Sequence, residues 1–182
     1  MDAALSALLG VGLAASCGLR VFLPFVVASI AARLGWLELS ADLAWMSTTP
    51  AIAALVIAAA LEVAAMHVPW LDHALDVAAA PAAVVGGALL AASQMGELDP
   101  MVRWGAALIA GGGVAGAVHS GTVAVRAAST LLTGGLGNPV VASTESFGSV
   151  ALAAMAIVVP GLSLVALAVV GALLWRRLRP AT

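Results

Sequence analysis

The chain contains no lysine and little charge of either sign. Its 182 residues include seven arginines and nine acidic residues, so that charged residues make up 9% of the sequence, against about a quarter in soluble globular proteins. Hydrophobic residues make up 63%. This composition excludes an ordinary soluble domain, and the lack of a basic face excludes nucleic acid as a partner. The sequence therefore predicts an all-α integral membrane protein whose main partner is the lipid bilayer.

Cysteine occurs once, at Cys17, which excludes an intramolecular disulfide. The motifs of a serine hydrolase, a zinc metalloprotease and a nucleotide-binding loop are absent as well. Enzyme activity is therefore a minority interpretation, and no cofactor is expected. A metal-capable cluster is formed by His67, Asp72, His73 and Asp76, with the two aspartates on one helical face. We favour a solvated amphipathic turn here, because the pattern lacks a full set of zinc ligands.

Long apolar runs fill most of the chain. A bilayer core about 30 Å thick needs about 20 apolar residues per helix, so a single membrane domain over 1–182 accommodates roughly six transmembrane or partly re-entrant helices. The run 3–34 would be about 48 Å long as one helix, and Gly18 and Pro24 predict a break or kink within it. Further spans are predicted at 51–66, 81–93, 103–126, 143–159 and 162–175.

The two halves of the chain, 1–97 and 98–182, share an order of sequence features. Each has a long span that bears an arginine, a loop, a Ser-Thr pair with a glutamate at or beyond it, and a proline break. This order suggests an inverted 3+3 repeat, as in secondary transporters. Arg176, Arg177 and Arg179 beyond the last span predict a cytoplasmic C-terminus. Six spans would place the N-terminus on the cytoplasmic side too.

Four charged residues lie within the apolar runs: Arg20, Glu62, Arg126 and Glu145. Charges at membrane depth are costly and usually face the protein interior or an aqueous cavity. We predict that they line a path for a small solute or ion, or that they form structural interhelical ion pairs. Arg20 is expected to pair with Glu62, the nearer glutamate in sequence, or with Glu145 if the two halves interdigitate.

A glycine-rich loop contains Gly134, Gly135, Gly137 and Asn138 and precedes a helix that is expected to begin near Ser143. Free N–H groups at a helix start can hold an anion, and broken helices do this in transporters. The loop is therefore either a flexible connector or an anion or substrate site that would meet the break at 18–24 near the membrane midplane. Asn138 is its best candidate side chain.

Three sequence elements together resemble a known family: Gly-x-Arg-x-Phe-x-Pro at 18–24, a triple glycine at 111–113, and Gly-Gly-x-Gly-Asn-Pro at 134–139. The chain resembles the bacterial integral-membrane family catalogued as domain of unknown function 4126. The resemblance implies a multi-pass protein of the bacterial inner membrane and brings no activity with it.

Residue chemistry predicts a small transporter or channel-like protein for a small solute, ion or lipid head group. The alternative is a noncatalytic membrane scaffold or partner subunit. Small residues in its helices let backbones approach closely in lipid, and a homodimer is one candidate assembly.

Overall fold

A computed structural model describes residues 3–65 and 69–178, with side chains described within 3–65, 78–169 and at 172 and 176. Within these ranges the chain forms seven helices and no strand. The helices are α1 Ala3–Leu19, α2 Phe22–Arg33, α3 Thr49–Ala65, α4 Pro69–Gln94, α5 Pro100–Thr133, α6 Asn138–Val158 and α7 Pro160–Leu178. A short 3-10 helix, Ala44–Ser47, precedes α3. The all-α prediction is confirmed.

Two helices, α5 with 34 residues and α6 with 21, are long and apolar enough to cross a membrane. Several large apolar side chains on these helices are exposed, among them Ile109, Leu131 and Phe147, each at least 79% accessible. Extensive exposed apolar surface is unusual in a soluble monomer and marks a surface for lipid or a protein partner. The fold is therefore that of a helical protein with candidate membrane spans.

The first apolar run folds into a helical hairpin. Two residues separate α1 from α2, so the predicted break is confirmed, and the chain reverses at this break. Cys17 of α1 and Phe25 of α2 both lie beside Gly86 of α4, which shows that α2 folds back along α1. At the far end of the hairpin, Leu5 and Gly35 line one cavity. Of the two alternatives expected over 3–34, a break and a kink, the structure has the break, and it separates two antiparallel helices.

Three connections lie together at one end of the bundle, here called the upper end: residues 34–48, residues 95–99 and Val159. The Ser40 N–H donates to the Ser93 carbonyl at the end of α4 (2.8 Å), and Asp42 pairs with Arg103 near the start of α5. The α1 helix begins at this end beside the α6–α7 junction, and α7 leaves it along α1. Helix direction therefore alternates, and the two ends of the described chain lie at opposite ends of the bundle.

Small residues bring α1, α4 and α5 into close contact. A Cβ atom added to Gly87 of α4 would lie 2.5 Å from the Ala115 Cβ, and one added to Gly18 of α1 would lie 2.5 Å from the Ala115 carbonyl oxygen. Only glycine fits at such backbone approaches. At this contact α5 includes a six-residue π-helical segment, Ala107–Gly112.

Three predicted helix boundaries need correction. Residues 69–76, expected as a polar turn, belong to α4, which continues without interruption to its end. The α5 helix begins directly after Asp99, whose Oδ1 accepts from the Met101 N–H (3.0 Å) and caps the helix start. The α6 helix begins at Asn138 and not near Ser143. The predicted α4 and α6 helices were too short because polar residues in their first turns were interpreted as loops.

Candidate functional site

The four charged residues predicted within the apolar runs meet at the tip of the α1–α2 hairpin. Arg20 lies in the two-residue link, Glu62 near the end of α3, Arg126 in α5 and Glu145 in α6. Arg20 is 7% exposed and Glu145 is 6% exposed. We call these four residues the tip cluster. The fold therefore assembles one buried polar site from residues that are far apart in sequence.

Glu145 is shared by two arginines. Arg20 Nη2 donates to Glu145 Oε2 at 3.2 Å and to the Ala142 carbonyl at 3.1 Å. Arg126 Nε donates to Oε1 and Oε2 of Glu145 at 3.1 and 3.2 Å, and Arg126 Nη2 also donates to Oε2. Charge-assisted contacts through two guanidinium nitrogens fix both distance and orientation. Arg20 thus pairs with Glu145, the second of its two predicted partners.

Glu62 contacts the hairpin tip in a way that the sequence analysis did not anticipate. Its Oε1 accepts from the Val21 N–H at 2.8 Å, and its Oε2 accepts from the Phe22 N–H at 3.0 Å. The first N–H groups of a helix have no acceptor within the helix, and a carboxylate there is also stabilised by the helix dipole. A side chain of α3 therefore accepts the hydrogen bonds of the two backbone N–H groups at the break between α1 and α2.

The hairpin tip lies halfway along α6. Gly148 is ten residues from Asn138 and ten from Val158, the two ends of that helix. A Cβ added to Gly148 would lie 3.4 Å from Leu19 Cδ1, at the end of α1. Since α6 is one of the two helices of membrane-spanning length, the tip reaches the middle of a candidate span.

The glycine-rich loop closes the turn between α5 and α6 at some distance from the tip cluster. Gly134 and Gly135 have φ angles of +63° and +90°, and Gly134 caps the end of α5 in the left-handed conformation that favours glycine. Glu145 is seven residues beyond the start of α6, about 10 Å along the helix axis. The loop therefore joins the ends of two long helices and does not form a second break at the level of the hairpin tip.

The N–H groups in the second half of this loop already have acceptors. The Gly137 N–H donates to Thr133 Oγ1 at 2.9 Å, and the Asn138 N–H donates to the Gly135 carbonyl at 3.1 Å. Asn138 Nδ2 donates to Thr130 Oγ1 at 3.0 Å. These hydrogen bonds favour the connector interpretation of the loop over the anion site.

A second buried arginine was not among the predicted site residues. The Arg103 side chain is 11% exposed, donates through both Nη atoms to Asp42 and lies 5.5 Å from the centre of the Trp104 ring. The neighbouring Ser40 hydroxyl and then the Arg103 guanidinium hold the pKa of the Asp42 carboxyl below its usual range. The available signal was the alternation of the predicted spans, which puts the connection after 3–34 and the connection before 103–126 on the same side of the membrane.

The weak metal candidates, Asp72 and Asp76 with His67 and His73, lie outside the side chains that the structure describes. Among the described residues, no three His, Cys, Asp or Glu side chains are grouped closely enough to hold a metal ion.

These observations define the class: an all-helical protein with helices of membrane-spanning length and a buried charge cluster at a helix break. The model of a protein family described as Domain of unknown function (DUF4126) matches residues 7–179, and the chain belongs to this family. No curated protein and no solved structure matches the chain. The resemblance seen in the sequence is thereby confirmed, and any function has to be argued from the site.

Proposed function

We propose that this protein moves a small solute or ion across the bacterial inner membrane along a path past the tip cluster. The observation that supports this is the α1–α2 hairpin, whose non-helical tip brings Arg20 to the middle of α6. Within a bilayer, non-helical backbone occurs where it is buried in protein or lines a water-filled cavity. Broken helices of this kind form substrate and ion sites in secondary transporters.

The tip cluster offers binding chemistry for either sign of charge. An anionic solute that reached the tip would compete with Glu62 for the Val21 and Phe22 N–H groups. A cation would compete with Arg20 and Arg126 for Glu145. Each exchange replaces an internal contact by a ligand contact, which lowers the cost of taking the ligand out of water. Binding at the tip would at the same time loosen the packing of the hairpin against α3 or α6.

A membrane topology follows from the same hairpin. We propose that α1 and α2 enter from the upper side as a re-entrant pair and that α3 to α7 cross the membrane. This arrangement has five crossings and replaces the six that the sequence suggested. Arg176, Arg177 and Arg179 then place the C-terminus in the cytoplasm and the N-terminus on the opposite side. The inverted repeat of 1–97 and 98–182 is a proposal supported by the order of sequence features.

Fusing a topology reporter to each terminus tests this arrangement. A fluorescent protein that folds only in the cytoplasm should be bright at the C-terminus and dark at the N-terminus, and alkaline phosphatase should give the reverse. Two termini on the same side would refute an odd number of crossings.

A flux assay tests the transport proposal. The protein, reconstituted in proteoliposomes, is given gradients of protons, K⁺, Na⁺ and Cl⁻ in turn, and flux is compared with empty vesicles. We expect flux of at least one ion that falls about tenfold or more in Glu145→Gln and in Glu62→Gln. The control is Asp99→Asn, the same loss of a carboxylate charge at an exposed residue of the upper end that lines neither site. Flux that is unchanged by both tip substitutions would refute a path past the tip cluster.

A membrane scaffold is the second candidate, and one face of α5 supports it. Gly113, Ala117 and Gly121 recur at intervals of four residues and are exposed, and a Cβ at either glycine would meet nothing within 4 Å. Small residues at this spacing let two membrane helices pack closely, so a second copy of the chain would fit. Crosslinking Ala117→Cys in a Cys17→Ala background should then trap a dimer in membranes, and a monomer under the same oxidation would remove this support.

A further inference from the structure

A cavity of about 570 Å³ opens at the upper end of the bundle. Its walls come from the start of α1, the connection after α2, the end of α4 and the α6–α7 junction. The tip cluster lies at the other end of α1. The cavity is therefore separate from the site described above, and its size falls in the range of small-molecule sites.

One polar side chain of the cavity lining, Gln94, has an amide oxygen that is open to a ligand. Gln94 is 7% exposed, and its Nε2 donates to Ser93 Oγ at 2.8 Å. That hydroxyl donates in turn to the Leu90 carbonyl at 2.7 Å, which fixes the amide orientation. Among the described residues the Gln94 amide oxygen accepts no hydrogen bond. This oxygen is not fully buried, so an N–H group of a ligand in the cavity would be able to donate to it.

The charge of the lining has one sign. Glu38 and Glu97 both line the cavity, whereas no arginine or histidine in the described part of the chain does. Trp36 also lines it and is 73% exposed, which leaves its ring face open to a bound cation. Carboxylates at a partly enclosed opening concentrate cations and repel anions.

Much of the remaining wall is apolar. Leu5 and Leu9 of α1 line the cavity together with Ile157 and Val158 at the end of α6. These side chains would bury a short alkyl chain while the carboxylates and the amide oxygen hold a charged head. We propose that the cavity binds a small organic cation, a primary alkylammonium, with its ammonium group at Gln94, Glu38 and Glu97. Binding here does not depend on the proposed transport.

Calorimetric titration of the protein in nanodiscs of zwitterionic lipid tests this site, with n-butylammonium as the probe and n-butanol and butyrate as neutral and anionic probes of the same length. We expect saturable binding of one n-butylammonium per chain, and no saturable binding of the other two. Glu38→Gln and Glu97→Gln should each weaken binding by up to about fivefold, as expected for exposed charge pairs. Gln94→Met, which removes the amide acceptor, should weaken it by about tenfold or more.

The matched control is Asp99→Asn, which makes the same charge change at the upper end outside the cavity and keeps a good helix cap. Its affinity for n-butylammonium should equal that of the wild type. Equal binding of n-butanol, or unchanged affinity in the Glu38→Gln/Glu97→Gln double variant, would overturn the proposal. The two glutamates are exposed, so this outcome can be measured even if Gln94→Met does not fold.

Discussion

Removing the charge of Glu145 should destabilise the protein more than any other loss of a single carboxylate among the described residues. Glu145→Gln keeps the size of the side chain and takes away the anion that Arg20 and Arg126 share. Breaking a buried ion pair by losing one partner costs about 3–5 kcal/mol. One kcal/mol corresponds to about 2–4 °C in Tm for a chain of this size. The expected fall in Tm is therefore about 6–20 °C.

Thermal unfolding in a mild detergent, followed by circular dichroism, measures this change. Glu97→Gln is the matched control, because it carries the same substitution at an exposed position, and its Tm should stay within about 1 °C of the wild type. A Tm of Glu145→Gln within the same limit would show that the three-residue contact contributes nothing and would refute the reasoning.

A double-mutant cycle with Arg126→Leu and Glu145→Leu measures the interaction between these two side chains apart from any general destabilisation of the site. Once either partner is gone, removing the second loses nothing more from this contact, so the double variant should be more stable than the sum of the single losses predicts. The coupling expected for residues in direct contact is about 0.5–3 kcal/mol. Strict additivity would mean that the two side chains do not interact in the folded protein.

Three further predictions concern the hairpin and the upper end. Glu62→Leu should speed hydrogen exchange of the Val21 and Phe22 N–H groups by about tenfold or more, because both lose their acceptor; unchanged protection would contradict this. Gly18→Ala should lower the Tm, since its Cβ would lie 2.5 Å from a carbonyl oxygen of α5. Gly121→Ala should leave the Tm unchanged, because its Cβ would meet nothing within 4 Å. Equal effects of the two substitutions would refute the close packing at Gly18. Asp42 has a lowered pKa, so its pairing with Arg103 stabilises the protein above the ordinary pKa of about 3.9 and is lost as pH falls through the lower folded value. The Tm of the wild type and that of Asp42→Asn should therefore differ at pH 6 and converge in acid. A Tm difference that grows in acid would contradict a lowered pKa of Asp42.

The helical class and the helix break at 18–24 could be predicted because both depend on local composition. Apolar runs of sufficient length imply helices in lipid, and Gly18 and Pro24 weaken helix continuity. The need of Arg20 for a buried partner followed in the same way, from the cost of a charge among apolar residues.

The reversal of the chain at the break could not be predicted from the same residues. A glycine and a proline six positions apart are compatible with a kink as well as with a hairpin. The outcome depends on contacts distant in sequence, such as the capping of α2 by Glu62. Once α2 folds back, Glu62 accepts from two backbone N–H groups of the hairpin tip, and Arg20 pairs with Glu145. The choice of partner was therefore a consequence of tertiary packing.

The π-helical segment Ala107–Gly112 sets the rotational phase of α5. Arg103 lies on one side of this segment and Arg126 on the other, 23 residues away, which is about 35 Å at 1.5 Å per residue. A π segment holds an additional residue compared with a regular turn, and each residue of an α-helix turns the next side chain by about 100°. Deleting one residue to restore a regular helix would rotate the two arginines against each other by that angle. Asp42 and Glu145 could not then both keep their partners, so one irregular turn allows a single continuous helix to supply an ion pair at each of two depths.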